Sequence, residues 1–280
     1  MRVFLCTALA MAALPALGAA QQPTPRPAPP PGAAPSGAPP TGAPRPRPED
    51  TELWTPVPPV VTPGAVAPAP PPSDAIVLFD GRTLDAWVNT NDKQPARWTV
   101  ANGVLTVNKP AGNIETRRRF GSYQLHLEWR VPEGMRETGQ ARGNSGLFLA
   151  STGPGDAGYE LQILDSYRNA TYVNGQAASV YKQHAPLANA MRPPGQWNVY
   201  DVVWTAPTFA ADGSVRTPAY LTVLHNGVLV QDHVALQGPT QYIGRASYPA
   251  GGHGEAPIKL QSHGDPSPPI SFRNIWIRPR

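Results

Sequence analysis

Residues 159–165 read Tyr159-Glu160-Leu161-Gln162-Ile163-Leu164-Asp165. The run is apolar and β-prone, yet it carries two carboxylates and an amide. A carboxylate set among Leu and Ile is costly to bury unless it is paired or hydrogen-bonded. Alternation along a strand puts Glu160 and Gln162 on one face and Leu161 and Ile163 on the other. Asp165 then falls on the wrong side. One extra residue near Ile163-Leu164, a β-bulge of the kind that sits beside functional sites, would return it to the face of Glu160 and Gln162. The expectation is a bent strand that projects two acids and an amide together. An edge strand with solvated acids would use the same residues.

Outward from this strand the chain keeps reading as β. Strands are expected at 76–79, 97–100, 104–107, 123–131, 145–150, 198–205, 219–224, 228–234, 258–262 and 270–277, each a short β-branched or aromatic run bounded by Gly, Pro or Asn. Asn102-Gly103 and Asn226-Gly227 join neighbouring runs and mark tight hairpins. No stretch carries a helical apolar stripe of useful length. Many short strands with such turns predict an all-β, two-sheet sandwich. The insertions at 132–142 and 167–194 read as loops, where function concentrates in a sandwich. Trp87, Trp98, Trp129, Trp197 and Trp276 read as core, because large aromatics dominate burial.

Composition divides the chain. Residues 1–20 read as a secretory leader, with Arg2, a mostly apolar run and Gly18-Ala19-Ala20 as the cleavage site. The single cysteine, Cys6, lies inside it, so disulfide and thiolate chemistry would be missing from the processed chain. A sizeable secreted domain without disulfides suggests a bacterial periplasm or exterior. Residues 21–73 hold most of the 37 prolines and offer little to bury, which predicts a disordered spacer. Residues 74–280 suit one β domain. The net charge of +4 is scattered, and Arg117-Arg118-Arg119 lacks the long basic face and interleaved aromatics of a nucleic-acid binder. The leader is too short to remain as a membrane span.

Two resemblances emerge. The strand 159–165 resembles the E-x-D-x-x-E strand of retaining β-sandwich glucanases, with Gln162 for the middle Asp and Asp165 for the last Glu. More specifically, a series of phrases in order resembles the 3-keto-disaccharide hydrolase domain. They are Leu78-Phe79-Asp80-Gly81 with Leu84 and Trp87, Arg142-Gly143-Asn144-Ser145-Gly146-Leu147-Phe148, the 159–165 strand, Gly195-Gln196-Trp197-Asn198, His225-Asn226-Gly227, and Pro257 to Gly264 leading into Phe272-Arg273-Asn274-Ile275-Trp276-Ile277. The resemblance covers 74–280 and implies a jelly-roll of the concanavalin-like lectin/glucanase type. It also implies cleavage of glycosides oxidised to a ketone at carbon 3, with a sugar 3-dehydrogenase upstream to supply the ketone. Lys182-Gln183-His184 replaces the small residues usual after Tyr181, which points to a specialised pocket rim.

A ketone at carbon 3 acidifies the hydrogen on carbon 2, so a carboxylate base could remove it and expel the group on carbon 1, after which water adds back. Such a route needs a base, a clamp on the ketone oxygen and an acid for the leaving group. Glu160 is the candidate base and Asp165 the candidate acid, with Arg142 or His263 on the enolate oxygen. Direct displacement by Glu160, with Asp165 as acid, competes and asks for carboxyl groups about 5 to 5.5 Å apart. Asn144, Gln162, Tyr181, Lys259 and Gln261 are candidate substrate contacts, Lys259, Gln261 and His263 by alternation on one strand. Arg273 could pair with an acid of the site. No cofactor is called for. His184, His225, His233, His253 and His263 lack metal-ligand spacing, and a loop calcium near Asp156 lacks a D-x-D-x-D run. A non-catalytic carbohydrate-binding module would use Glu160 and Gln162 only to grip hydroxyls.

Overall fold

The computed structural model describes residues 45–65 and 70–280. The reading of 1–20 as a leader, and most of the Pro/Ala-rich stretch, lie outside the described residues. In chain order the strands are β1 (Ile76–Phe79), β2 (Trp87–Asn89), β3 (Thr99–Ala101), β4 (Val104–Thr106), β5 (Ile114–Thr116), β6 (Tyr123–Arg130), β7 (Ser145–Ser151) and β8 (Gly158–Ile163). After a long connection follow β9 (Asn198–Thr205), β10 (Thr208–Phe209), β11 (Val215–Thr217), β12 (Tyr220–His225), β13 (Val228–Ala235), β14 (Lys259–Leu260) and β15 (Ser271–Pro279).

They form the expected sandwich. One sheet runs β2-β5-β14-β7-β8 and the other β13-β12-β9-β6-β15-β4-β3, with β1 also on β15. The expected strands recur within a residue or two at most ends. Three-residue β2 and β5 and the small β10–β11 ribbon were not expected, because three residues are too few to show a period. Both Asn-Gly turns have two residues with positive φ, Asn102 at 51° with Gly103 at 77°, and Asn226 at 55° with Gly227 at 81°. This is the backbone that Asn-Gly favours in a two-residue hairpin.

Register decides which side chains face the core. In the five-stranded sheet Ile114, Leu260, Leu147 and Leu161 lie opposite one another across four strands, and all are fully buried. The next row, Glu115, Lys259, Phe148 and Glu160, therefore projects from the other face. Two phenols from the larger sheet reach across the core: Tyr123 donates to the Leu149 carbonyl at 2.5 Å and Tyr200 to that of Gln162 at 2.8 Å. These bonds fix the strand that carries Glu160 against the second sheet. Trp87, Trp98, Trp129 and Trp276 are buried as expected. Trp197 is only half-buried, held between the guanidinium groups of Arg130 and Arg273 at 4.6 and 4.2 Å.

The stretch read as a free spacer is partly fastened to the domain. Val61 donates to Asn189 O at 3.0 Å and Asn189 to Pro59 O at 2.9 Å, and Arg192 donates to Gly64 O. Composition predicted no such contact, since proline-rich chain has little to bury; its carbonyls nevertheless accept bonds from the 173–192 loop.

Candidate active site

The hollow that matters is floored by the outward face of β8. It is lined by Asn144, Asp156, Glu160, Gln162, Tyr181, Thr240, Tyr242, Gln261 and His263. Its inner space is about 130 Å³, a shallow hollow open on one side.

Glu160 sits at the centre. It faces outward beside Gly146, where a Cβ would stand 2.6 Å from Glu160 Oε1. Glycine at 146 is thus what lets the carboxyl lean over the neighbouring strand. The backbone of Glu160 is pinned on both sides, its N–H to Thr240 Oγ1 at 3.1 Å and its carbonyl to the N–H of Tyr181 at 3.2 Å. The free edge of β8 is covered by the 178–181 segment, through Ala178 N–H to Gln162 O and Gln162 N–H to Ser179 O, both 2.9 Å. That pairing places Tyr181 in the pocket wall.

The carboxyl of Glu160 is 6% exposed and enters no ion pair among the described residues. Burial pushes it up to about 8; the like charge of Asp156 adds to the shift and Lys259 opposes it. A carboxyl with this affinity is protonated in much of the population at neutral pH, and a strong base once ionised. Gln162, one alternation further along, donates Nε2 to Gln140 Oε1 at 3.1 Å. Turning its amide over instead places Nε2 3.3 Å from Glu160 Oε1 and 3.0 Å from the Ser145 carbonyl.

His263 enters from the chain that follows β14. Its Nδ1 lies 2.9 Å from Asp265 Oδ2, and its side chain is 35% exposed toward the hollow. Burial alone would raise the Asp265 carboxyl, but bonds from His263 and Ser267 and the charge of Lys109 outweigh it and hold the group below the usual carboxylate range. A charged Asp265 on Nδ1 leaves Nε2 as the atom His263 presents to a ligand.

Several sequence expectations are corrected by geometry. The bulge expected near Ile163-Leu164 is not there: β8 ends at Ile163, and the register of this hairpin shifts instead between Phe148 and Ser151 of β7. Asp165 lies beyond the ladder in a tight turn closed by Ser166 N–H to Leu164 O at 3.0 Å. Its Oδ2 accepts from Arg142 Nε at 2.7 Å and its Oδ1 from the Tyr167 N–H at 3.0 Å, and neither Asp165 nor Arg142 lines the hollow. They hold each other and the 139–143 turn. Lys259 is fully buried and also outside the hollow. Its Nζ donates to the carbonyls of Gly153, Gly155 and Ala157, each at 2.9 Å. Arg273 pairs with Glu128 at 2.6 Å on the other sheet.

Asn144, Gln162, Tyr181, Gln261, Glu160 and His263 do meet in the hollow. Gln261 Oε1 is buried with no hydrogen-bond partner among the described residues. Sequence reasoning missed Thr240, Tyr242 and Asp265, and weighed Asp156 only as a loop calcium ligand. Asp156 is the second carboxylate of the pocket, positioned by Asn113 Nδ2 at 3.0 Å and by the Lys259-bound loop. The sequence holds one usable signal for Asp265, the His-x-Asp spacing. Among the described residues no group of three or more His, Cys, Asp or Glu side chains is arranged to hold a metal ion, and no helix is long and apolar enough to cross a membrane.

Comparison with known proteins agrees with this architecture. A candidate glycosyl hydrolase from Parabacteroides distasonis is 53% identical, over 83% of this chain and 96% of its own, with a TM-score of 0.71. Two further candidate glycosyl hydrolases of that organism share the fold at 19% and 22% identity, each over 74% of this chain and 94% and 99% of their own, with TM-scores of 0.51 and 0.50. No curated protein matches the chain. The family model described as a 3-keto-alpha-glucoside-1,2-lyase-like domain matches residues 74–278, and the chain belongs to that family.

Proposed function

We propose that the protein cleaves glycosides whose sugar carries a ketone at carbon 3, by elimination across carbons 1 and 2 followed by addition of water. The observation that carries this is a buried carboxyl, Glu160, raised to about 8 with no ion-pair partner among the described residues, lining one hollow with a histidine oriented by Asp265. Ionised Glu160 takes the proton from carbon 2. With Nδ1–H held by Asp265, His263 donates from Nε2 to the carbon-3 oxygen when its ring carries both protons, as negative charge gathers there. The carbon 1–oxygen bond breaks, a double bond forms between carbons 1 and 2, and the departing oxygen takes the proton that Glu160 now holds. Water then adds at carbon 1, giving the free 3-keto sugar and the alcohol.

Asp165 was the expected acid, but it does not line the hollow; where the carbon-2 hydrogen and the carbon-1 oxygen share one ring face, as in a β-glucoside, Glu160 can return the proton itself. Asn144, Gln162 and Gln261 supply donors and acceptors for the ring hydroxyls. Asp156 keeps the proton affinity of Glu160 high. Such a substrate must be made by oxidation of an ordinary glycoside, so a sugar 3-dehydrogenase acts before it. The leader-like sequence of residues 1–20 supports a periplasmic or extracellular setting for this work.

The test is cleavage of a 3-keto glucoside in deuterated water. Deuterium at carbon 2 of the sugar supports elimination; release of the alcohol with no label at carbon 2 rejects it. Cleavage of the unoxidised glucoside alone would make the protein an ordinary glycosidase. No turnover of either, with sugar binding retained, would leave a binding module.

A further inference from the structure

The chain N-terminal to residue 74 packs against the loop that carries Tyr181 into the wall of the hollow. Residues 48–53 are clamped to the 173–182 loop. Lys182 Nζ donates to Pro48 O at 2.6 Å, and Asn174 Nδ2 to Thr51 O at 2.9 Å. The N–H of Leu53 donates to Asn174 Oδ1 at 2.9 Å and the N–H of Val173 to Leu53 O at 2.6 Å. Asn174 is fully buried and directs both ends of its amide at this segment. A Pro-rich segment gains little from burial of its own, so this clamp fixes it in place for another reason.

What it fixes is an aromatic row. Trp54 meets the edge of Tyr172 with centroids 6.2 Å apart, and Tyr172 shares a hydrogen bond of 2.6 Å with Tyr181, which lines the hollow. Lys182 Nζ also donates to Tyr242 O at 2.9 Å and stands 4.7 Å over the Tyr242 ring. Tyr242 is 63% exposed at the same mouth, and Trp54 is 59% exposed. Two large rings are thus largely in water, Tyr242 lining the hollow and Trp54 joined to its wall through Tyr172 and Tyr181. An indole face kept exposed on a fixed backbone suits the C–H face of a pyranose, because the ring surface is apolar and the edge can stay wet.

We propose that Trp54, with Tyr242, forms a subsite for a second sugar ring, the one on the leaving side of the bond. This rests on the reading of the Glu160 hollow as the site for the 3-keto ring. The segment lies outside residues 74–278, so a feature beyond the family domain sets the preference for a disaccharide over a glycoside with a small leaving group.

The experiment is calorimetric binding of a 3-keto glucosyl-glucose and of methyl 3-keto glucoside to the full chain carrying Glu160→Gln, with and without Trp54→Ala. Trp54→Ala should weaken the disaccharide about 10-fold and the methyl glycoside less than about 2-fold; Trp54→Phe, which keeps a ring, should recover most of the loss. Equal weakening of the two ligands, or an unchanged disaccharide, overturns the subsite while leaving the hollow intact. Failure of both ligands to bind before Trp54 is touched overturns the reading of the hollow, and the subsite falls with it.

Discussion

Replacing Glu160 by Gln should make the protein more stable, by an amount that grows with pH. An unfolded glutamate titrates near 4.5, whereas in the fold burial raises Glu160 to about 8. The native state therefore holds a proton that the unfolded state has lost between these values, and stability falls as pH rises through that window. Below 4.5 both states are protonated and the group contributes nothing. At pH 5 its cost is about 1 kcal/mol, at pH 7 about 3, and at pH 9, where both states are ionised, about 5, at about 1.36 kcal/mol per unit of difference. Glu160 is 6% exposed, so solvent screening takes little from these figures. Glutamine has the same shape and no proton to lose, and the cost disappears with it. Thermal unfolding of both proteins at pH 5, 7 and 9 should give melting curves that converge in acid and separate in base, by roughly 10 °C or more at pH 9 for a domain of this size. Parallel melting temperatures across that range would show that Glu160 titrates normally, and would remove the physical basis for its role as base.

The same residue sets the activity profile. As the base it must be ionised, so kcat/KM should rise with pH and level off above about 8; a fall through that value would make Glu160 an acid instead. Asp265→Asn takes the carboxylate from His263 Nδ1 and should lower kcat by roughly 10²-fold with KM little moved; unchanged kcat would make the pair structural. Gly146→Ala puts a methyl 2.6 Å from Glu160 Oε1 and should abolish most turnover while costing about 1–3 kcal/mol of stability, read by assay and denaturation together. Arg142→Leu leaves Asp165 buried without its partner and should cost about 3–5 kcal/mol, with the remaining folded fraction still active because neither residue lines the hollow.

The sandwich was legible because its information is local. The Asn-Gly turns name their own backbone, and strands of six residues or more display a period. Three-residue β2 and β5 display none and exist because chain distant in sequence is brought alongside to pair with them. The Glu160–Gln162 face was equally legible, since alternation by two needs only the strand itself. What could not be read was anything set by a partner distant in sequence. Asp156 reaches the hollow because the Lys259 ammonium, 103 residues further along the chain, gathers the carbonyls around it. Asp165 was placed with Glu160 on an assumed bulge, but Arg142, 23 residues earlier, competes for the same carboxylate and wins. Residues 48–61 look like spacer by composition and are held by Asn174, Lys182 and Asn189, whose roles no local pattern encodes.

These commitments also explain why Glu160 stays unpaired. Two cations lie close enough in sequence or register to neutralise it. Lys259 shares its row of the sheet, one strand beyond Phe148, yet all three of its donors go to the carbonyls of Gly153, Gly155 and Ala157. Its own burial lowers its proton affinity to about 8. Arg142 leads into β7, yet its Nε is taken by Asp165. Had either been free, a charge-assisted bond would have pulled Glu160 down, as His126, Asn274 and Arg273 together do for Glu128 despite that residue's burial. A carboxylate so stabilised is a poor base for a carbon-bound proton. Using the nearby positive charge to hold loops, while leaving one acid buried and unmatched, is therefore what equips this face for proton abstraction. Replacing Lys259 by Met should loosen the 153–157 loop and weaken turnover through Asp156, even though Lys259 lies outside the hollow.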